Sequence, residues 1–259
     1  MPRSVNFDKF RVRQPFKPRA PKDTLHCIHQ GLGPVVIASL VTHHFEETGV
    51  TLGQLDKCLQ DAFEHYKKWC KTKQNLVAVT SSRFTALRFG RENFQTYPTL
   101  ASCYKGAMVK GLIYWVAEFL LECFRTNPTP SSRLRACCAF ALAQFQFQQD
   151  SNGPWLSQDV ANDVAYMGRT FLLLYQKLAC EARLAFPQRR VYKVIPKFHS
   201  FLHMCLCVTS VRRNARFEHL YQEEDFMKHI SKICSVTHPT TMDHVCLSRY
   251  RALKELCED

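Results

Sequence analysis

Acidic residues at two places in the chain could hold a divalent cation. Asp23 precedes His26 by three residues, so both side chains would lie on one face of a helix. Glu223, Glu224 and Asp225 form an acidic run. Mg²⁺ prefers oxygen ligands, and two-metal phosphoryl transfer needs several carboxylates that converge. Spacing alone favours a structural interpretation of both features, with Asp23 as a helix N-cap and the acidic run at the positive end of a helix dipole.

His199 and His203 have the spacing that zinc ligands on one helix can have, and Cys205 and Cys207 follow them closely. No glutamate follows the first histidine, so the HExxH motif of metalloproteases is absent. Residues 198–208 are mostly apolar, and we therefore favour packed side chains over zinc ligands here. A cysteine–histidine dyad elsewhere stays open among thirteen cysteines and eleven histidines.

The chain is basic, with 35 Lys and Arg against 22 Asp and Glu and a net charge of +13. This surplus favours polyanionic partners such as DNA, through electrostatic steering and counterion release. It is concentrated in a proline-containing arm over residues 1–22 and in a later basic loop. The candidate nucleic-acid-binding residues are Arg11, Arg13, Lys17, Arg19, Arg212, Arg213 and Arg216. A solvated tail and an ordinary basic surface are the alternatives.

Thirteen cysteines at irregular spacings give no disulfide framework. Several lie within apolar helical patterns, which indicates buried thiols in a reducing compartment. The first residues lack the apolar core of a signal peptide, and the most apolar run, residues 111–124, is too short and too charged to span a bilayer. We therefore expect an intracellular protein, nuclear or cytoplasmic, without membrane contact.

The elements that must position these residues are helices. Apolar residues recur at helical spacing through most of the chain, and no two segments show the alternation of paired strands. This pattern predicts an all-α fold, an irregular array of about eight helices. We divide the chain into an extended or disordered basic arm (1–22), a helical domain (23–190) and a C-terminal helical segment (191–259) that packs on the same core.

Turn and capping residues mark where the helices begin and end. Thr51 and Gln54 form a capping-box pattern, and Gly31, Gly33 and Pro34 predict a kink or break near residue 33. The predicted helices cover residues 23–48 with that kink, 51–72, a short stretch around 80–89, 98–125, 131–149, 157–185, 196–208, 223–235 and 240–257.

Four strings stand in a recognisable order. They are Asp-x-x-His-x-x-x-x-Gly over residues 23–31, Tyr97-Pro98-Thr99-Leu100 with Lys105-Gly106-Ala107 ahead of Trp115, Pro196-Lys197-Phe198-His199 with His203, and Asn214-Ala215-Arg216-Phe217 with Glu223-Glu224-Asp225-Phe226. Together they resemble transposase-derived open reading frames of protist genomes, which are similar to CACTA-type DDE transposases. The resemblance covers residues 21–259.

The resemblance implies a ribonuclease-H-like catalytic domain that is interrupted by a helical insertion. In such enzymes acidic residues hold two divalent ions, Mg²⁺ here, for DNA strand cleavage and transfer. Carried over by position, Asp23 matches the Asp of Asp-x-x-His and Glu224 matches the late acid. These two are the expected catalytic and metal-binding residues, and this chain would be the helical insertion plus the C-terminal helices.

Two departures from the family pattern limit the expected activity. The family's first catalytic Asp lies upstream on a strand, and the sequence contains neither, so a two-metal site cannot be completed within this chain. Ala215 also stands where proline is commoner. We therefore expect a transposon-derived protein that is catalytically incomplete alone and binds DNA through its arm and basic loop. The alternative is a helical protein–protein interaction module without a nucleic-acid role.

Overall fold

The computed structural model describes residues 24–73, 83–218 and 231–248, the last stretch with gaps at positions 233, 236, 243 and 246. A π-helix precedes the first α-helix, and short 3₁₀ turns lie at Ala215–Glu218 and Pro239–Thr241. Six α-helices form in these residues: α1 Gly33–Glu47, α2 Leu52–Thr72, α3 Gly106–Thr126, α4 Pro130–Asp150, α5 Gln158–Ala185 and α6 Pro196–Val211. The described residues contain no β-strand, so the predicted all-α class is confirmed.

Local hydrogen bonds explain two of the helix starts that the sequence predicted. The backbone amide of Thr51 donates to Gln54 Oε1 at 3.1 Å, which is half of the predicted capping box. The amide of Val160 donates to Ser157 Oγ at 3.3 Å, at the start of α5. Such side chains satisfy amides that a helix leaves without an internal partner. Both helices accordingly begin within one residue of the predicted position.

The first helical stretch changes type at Gly33. Leu25–Leu32 is π-helical, and α1 continues directly from it. A Cβ atom on Gly33 would lie 2.7 Å from Val109 Cγ1 and 2.9 Å from the Ile28 carbonyl oxygen, so glycine is what permits this close approach to α3. The predicted kink or break near residue 33 is therefore a change of helical type without an interruption.

Residues 83–105 do not form the helices that the sequence predicted. The short helix around residues 80–89 is wrong over its described part, which forms turns, and α3 begins at Gly106, later than predicted. Backbone groups of this segment bond mostly within it, as the amide of Thr99 does to the carbonyl of Phe89 at 3.0 Å, and the amide of Leu100 donates to the carbonyl of Pro34 at 3.1 Å. Because such partners satisfy the backbone, helix formation is not needed there.

The predicted number of about eight helices is not confirmed. Six α-helices account for most of the described residues. The two predicted C-terminal helices, residues 223–235 and 240–257, lie largely outside the described residues, so they stay predictions.

The core lies where α4 packs between α3 and α5, with α6 packed on α5 and the π-helix in contact with α1, α3 and α6. One aromatic cluster fixes α2 and the 83–105 segment to α3 around Trp115, through Tyr66, Phe84 and Phe119. A second fixes α5 to α6 around Phe171, through Tyr175, Phe198 and Phe201. Buried aromatic side chains of this size dominate the energy of packing.

The continuous helical stretch Leu25–Glu47 is long and apolar enough to cross a membrane, judged by length and composition alone. In this structure 83% of its most apolar window is buried inside the protein. Core helices of globular proteins have the same length and composition, and burial of this extent is what they show. The expected lack of membrane contact stays a prediction.

Candidate nucleic-acid interface

Two loops meet at one end of the helical array, where α4 and α6 end and α5 begins. Trp155 and Arg213 pair in an isolated antiparallel bridge between these loops. Beside the bridge, the amide of Leu156 donates to the carbonyl of Arg212 at 2.8 Å. We use the name basic loop surface for the outward-facing side chains of Trp155, Arg212, Arg213 and Phe217.

A single buried side chain, that of Asn214, fixes both loops. Its Nδ2 donates to the carbonyl oxygens of Gln149, Asn152 and Gly153 at 2.8, 3.0 and 3.1 Å. Its backbone amide donates to the carbonyl of Pro154 at 2.8 Å. The three carbonyls belong to the last turn of α4 and the residues after it, where helix geometry provides no partner. Asn214 therefore holds the basic loop surface in one conformation.

The basic loop surface is unusually exposed and locally strained. Trp155 is 72% exposed and Phe217 is 49% exposed. Arg212 and Arg213 are exposed as well. Arg212 has a φ of 54°, in the left-handed region, while its amide donates to the carbonyl of Val208 and closes α6. This conformation costs about 1–2 kcal/mol for a residue with a Cβ atom, and glycine is the usual residue at such a helix end. Strain of this kind often marks functional sites.

Arg216, the third predicted arginine, has a different environment. Its Nη1 donates to the backbone carbonyl of Asp150 at 2.6 Å, and its Nε lies 3.5 Å from the Asp150 carboxylate. Lys110 Nζ and the Tyr114 hydroxyl donate to the same carboxylate at 2.7 and 2.8 Å. Burial, and then the Asp150 charge, raises the pKa of the Tyr114 hydroxyl, which keeps it a hydrogen-bond donor. The charge of Arg216, whose side chain is half-buried, is therefore partly neutralised by Asp150.

The predicted catalytic and metal-binding residues, Asp23 and Glu224, lie outside the described residues, as do the arm residues Arg11, Arg13, Lys17 and Arg19. Among the residues that are described, no group of three or more His, Cys, Asp and Glu side chains is placed to hold a metal ion. The expected Mg²⁺ site therefore stays a prediction.

His199 and His203 face each other on α6, with their Nε2 atoms 2.8 Å apart. Cys205, however, points into the core, where a Cβ atom on Gly168 would collide with its Sγ. Burial raises the pKa of the Cys205 thiol, so it stays protonated. Within the described part of the chain no third ligand joins the histidine pair. Packed side chains, the interpretation that the sequence favoured, describe Cys205 well.

Buried ion pairs form a feature that the sequence did not predict. Arg91 is fully buried and binds both carboxylate oxygens of Glu46, with Nη2 donating at 2.6 Å, while its Nη1 donates to the carbonyl of Arg190 at 2.7 Å. Arg135 is equally buried and pairs with Glu47, whose side chain is 32% exposed. The partners are far apart in sequence, so no local pattern could have identified them. These contacts tie the 83–105 segment and the chain before α6 to α1.

His43 lies beside these ion pairs and is kept neutral. Its Nδ1 is 2.8 Å from the Tyr192 hydroxyl and 3.5 Å from Arg135 Nη1. Burial, and then the Arg135 charge, lowers the pKa of His43 to about 4. Because the arginine can only donate, Nδ1 is the accepting nitrogen of the neutral ring. All of these polar contacts are internal, which is typical of a scaffold.

No protein-family model, characterised protein or solved structure matches this chain. The choice of site therefore depends on geometry. Of the predicted site residues, Arg212 and Arg213 lie on an exposed surface, and Arg216 is half-buried beside Asp150. Trp155, which the sequence did not single out, pairs with Arg213 on that surface. The turn sequence around Trp155 indicates an exposed position, but no local pattern pairs it with Arg213, which lies 58 residues later.

Proposed function

We propose that this protein binds DNA through the basic loop surface. The observation that carries the proposal is the pairing of Trp155 with Arg213, next to the exposed Arg212, on two loops that the hydrogen bonds of Asn214 hold in place. Arginine donates planar, bidentate hydrogen bonds to phosphate oxygens, and aromatic rings contact bases. A fixed arrangement of both side-chain types is typical of nucleic-acid interfaces.

Several of the described residues near this surface are basic. Arg212, Arg213, Arg216 and Lys110 are cations, Lys110 and Arg216 share the Asp150 carboxylate, and the acidic Asp159 and Glu218 follow the two loops in the sequence. The whole chain has a net charge of +13. A positive field of this kind raises the rate at which a polyanion meets the protein and releases counterions when it binds.

We also propose that the chain derives from a transposon, as the helical insertion and closing helices of a ribonuclease-H-like transposase, and is catalytically incomplete alone. Support comes from three of the resembling strings, which lie far apart in sequence and pack together, because the π-helix contacts both α3 and α6. Cys27 Sγ donates to the carbonyl of Lys197 at 3.7 Å, and the amide of Leu100 donates to the carbonyl of Pro34, just after the first string. Purified chain with Mg²⁺ should leave supercoiled DNA uncut. Cleavage that is lost in an Asp23→Ala variant would overturn the catalytic part of this proposal.

The DNA-binding proposal is tested by removing the two outward charges. An Arg212→Gln/Arg213→Gln variant should bind a fluorescein-labelled DNA more weakly, in anisotropy titrations at several salt concentrations. Each phosphate contact that is lost reduces the slope of log K against log salt by about 0.9, so the slope should fall by up to about 1.8.

A matched control removes two charges from the opposite end of α4. Arg125 and Arg133 are exposed there, and a helix of this length spans roughly 30 Å. The Arg125→Gln/Arg133→Gln variant has the same net charge as the test variant but should keep the wild-type slope. Equal slopes for both variants would show that binding depends on overall charge and would refute the basic loop surface as the interface.

The alternative, a helical protein–protein interaction module, is favoured by one observation. Phe140 and Phe147 are 49% and 51% exposed, and they lie seven residues apart on one face of α4. Two aromatic side chains on one helical face can receive a partner helix. If Phe140→Ser/Phe147→Ser changes the sedimentation coefficient of the purified protein while the arginine variants leave DNA binding unchanged, the interaction module becomes the better conclusion.

A further inference from the structure

We infer that Trp155 is a stacking platform for an unpaired base, so that the preferred ligand is single-stranded DNA. This inference depends on the proposed function and specifies its substrate class. It assigns the aromatic part of the basic loop surface a role that the arginines cannot supply.

The first step is the exposure of the indole ring. The chain has three tryptophans; Trp69 and Trp115 are buried in the core, whereas Trp155 is 72% exposed. Exposure of so large an apolar ring is unfavourable in water. Its position is not due to a loose loop, because Asn214 and the bridge to Arg213 fix the backbone on both sides. The ring is therefore presented to solvent by a rigid frame.

The second step is the geometry of the bridge. The amide of Leu156 donates to the Arg212 carbonyl, and the amide of Asn214 donates to the Pro154 carbonyl, both at 2.8 Å. These bonds flank the bridge, which makes Trp155 and Arg213 a non-hydrogen-bonded pair. In such pairs the two side chains project from the same face, with Cβ atoms about 4.5–5.5 Å apart. The indole and the guanidinium therefore share one side of the loops.

The third step matches this pair to a ligand. One nucleotide has a flat aromatic base and a negatively charged phosphate, joined by a sugar. A base stacked on the Trp155 ring would have its own or the adjacent phosphate within reach of Arg213. Stacking is possible with every base, because every base has a π-face. The exposed Arg212 and the net charge of +13 favour an anionic ligand over a neutral apolar one.

The fourth step distinguishes single strands from duplex. In a closed duplex the faces of the bases are covered by neighbouring bases, and only their edges are accessible in the grooves. An indole can reach a base face only after unstacking, which requires free energy. Single-stranded DNA offers these faces without that requirement, so Trp155 should select it.

The inference is tested with three probes of equal phosphate number: a labelled oligothymidylate, its fully abasic analogue and a blunt duplex. Trp155→Ala should weaken binding of the oligothymidylate about 5- to 100-fold, as expected for the loss of one stacked base. It should change binding of the abasic strand and the duplex by less than about twofold, because phosphate contacts are retained. Trp155→Phe should recover most of the lost affinity. In the wild type, oligothymidylate should also quench the fluorescence of Trp155, the exposed tryptophan.

Tyr166→Ala is the matched control, since Tyr166 is another exposed aromatic residue, 59% accessible, but lies within α5 away from the loops. It should bind all three probes as the wild type does. Equal weakening of all three probes by Trp155→Ala, or no weakening of any, would overturn the stacking role while leaving DNA binding intact. If the wild type binds none of the probes at low salt, the proposed function itself fails.

Discussion

Replacement of Asn214 by aspartate should destabilise the protein strongly at neutral pH. The Nδ2 group that donates to the carbonyls of Gln149, Asn152 and Gly153 would become a carboxylate oxygen that faces the same three acceptors. Loss of a partner costs about 1–3 kcal/mol for each buried polar group that is left unsatisfied. A buried charge without a counterion adds to this cost. We expect a loss of about 3–5 kcal/mol in the free energy of unfolding, which is a large part of the usual total.

The destabilisation should depend on pH in a definite direction. Burial and the facing carbonyls favour the protonated acid, which can donate one hydrogen bond, so the folded-state pKa of the introduced Asp would lie above the unfolded value of about 3.9. A group whose folded pKa is raised contributes stability that is present at low pH and is lost as pH rises through the folded pKa. The difference in the free energy of unfolding between the wild type and the Asn214→Asp variant should therefore be smaller at acidic pH and larger near neutral pH.

Urea unfolding followed by far-ultraviolet circular dichroism at pH 7.5 and pH 5 measures both effects. Asn162→Asp is the matched control, because Asn162 is exposed on α5 and its Oδ1 accepts from Gln158 Nε2. Surface substitutions of this kind usually change stability by less than about 0.5 kcal/mol. Two results would contradict the role of Asn214 in fixing the two loops. One is equal stability of the two variants, and the other is a larger loss of unfolding free energy for Asn214→Asp at pH 5 than at pH 7.5.

Three further substitutions or conditions test the scaffold. Glu46→Gln should lower the free energy of unfolding by about 3–5 kcal/mol, because the buried Arg91 would lose its counter-charge. Gly168→Ala should destabilise by about 1–2 kcal/mol through collision with Cys205 Sγ, and a Gly168→Ala/Cys205→Ala double variant should recover part of the loss. The lowered pKa of His43 means that the unfolded state binds the extra proton, so stability should fall by up to about 3 kcal/mol as pH decreases from 6.5 to 4.

Each of these expectations has a clear contrary result. Glu64→Gln, at an exposed pair with Lys67, should leave the free energy of unfolding nearly unchanged. An equally small effect of Glu46→Gln would argue against a buried ion pair. A Gly168→Ala variant more stable than the wild type would mean that helix propensity outweighs the collision. A His43 imidazole that titrates near pH 6.5 by NMR would show that the ring is accessible to water.

Features encoded by neighbouring residues could be predicted from the sequence. The Thr51–Gln54 capping pair and the Ser157 cap act over three residues, and both helix starts were found where expected. The all-α class follows from apolar residues at helical spacing, and it was confirmed for the same reason. In each case the interaction lies within one turn of helix, so the sequence pattern and the structure contain the same information.

Features that depend on distant partners could not be predicted. Arg135 lies in a helix where its type suggests an exposed position, yet Glu47 brings it into the core. Residues 83–105 contain good helix formers, but their backbone groups bond in turns within the segment and to distant groups such as the carbonyl of Pro34. In the sequence, Asn214 stands out only as part of the resembling string over residues 214–217. Its side chain binds carbonyls of residues more than sixty positions earlier in the chain, and only the three-dimensional structure shows that these groups are close together.

The arginines of the last loop show why charge counts are a poor guide to an interface. The sequence assigned equal roles to Arg212, Arg213 and Arg216, whereas the structure divides them by the direction of each side chain. Arg216 is half-buried and shares the Asp150 carboxylate, whereas Arg212 and Arg213 are exposed. Backbone ordering costs about 1–2 kcal/mol per residue, and in these loops the hydrogen bonds of Asn214 have ordered the backbone before any ligand arrives. A ligand at this surface would therefore meet a rigid backbone. The strained φ of Arg212 persists because the surrounding hydrogen bonds determine the loop conformation more strongly than the local backbone preference does.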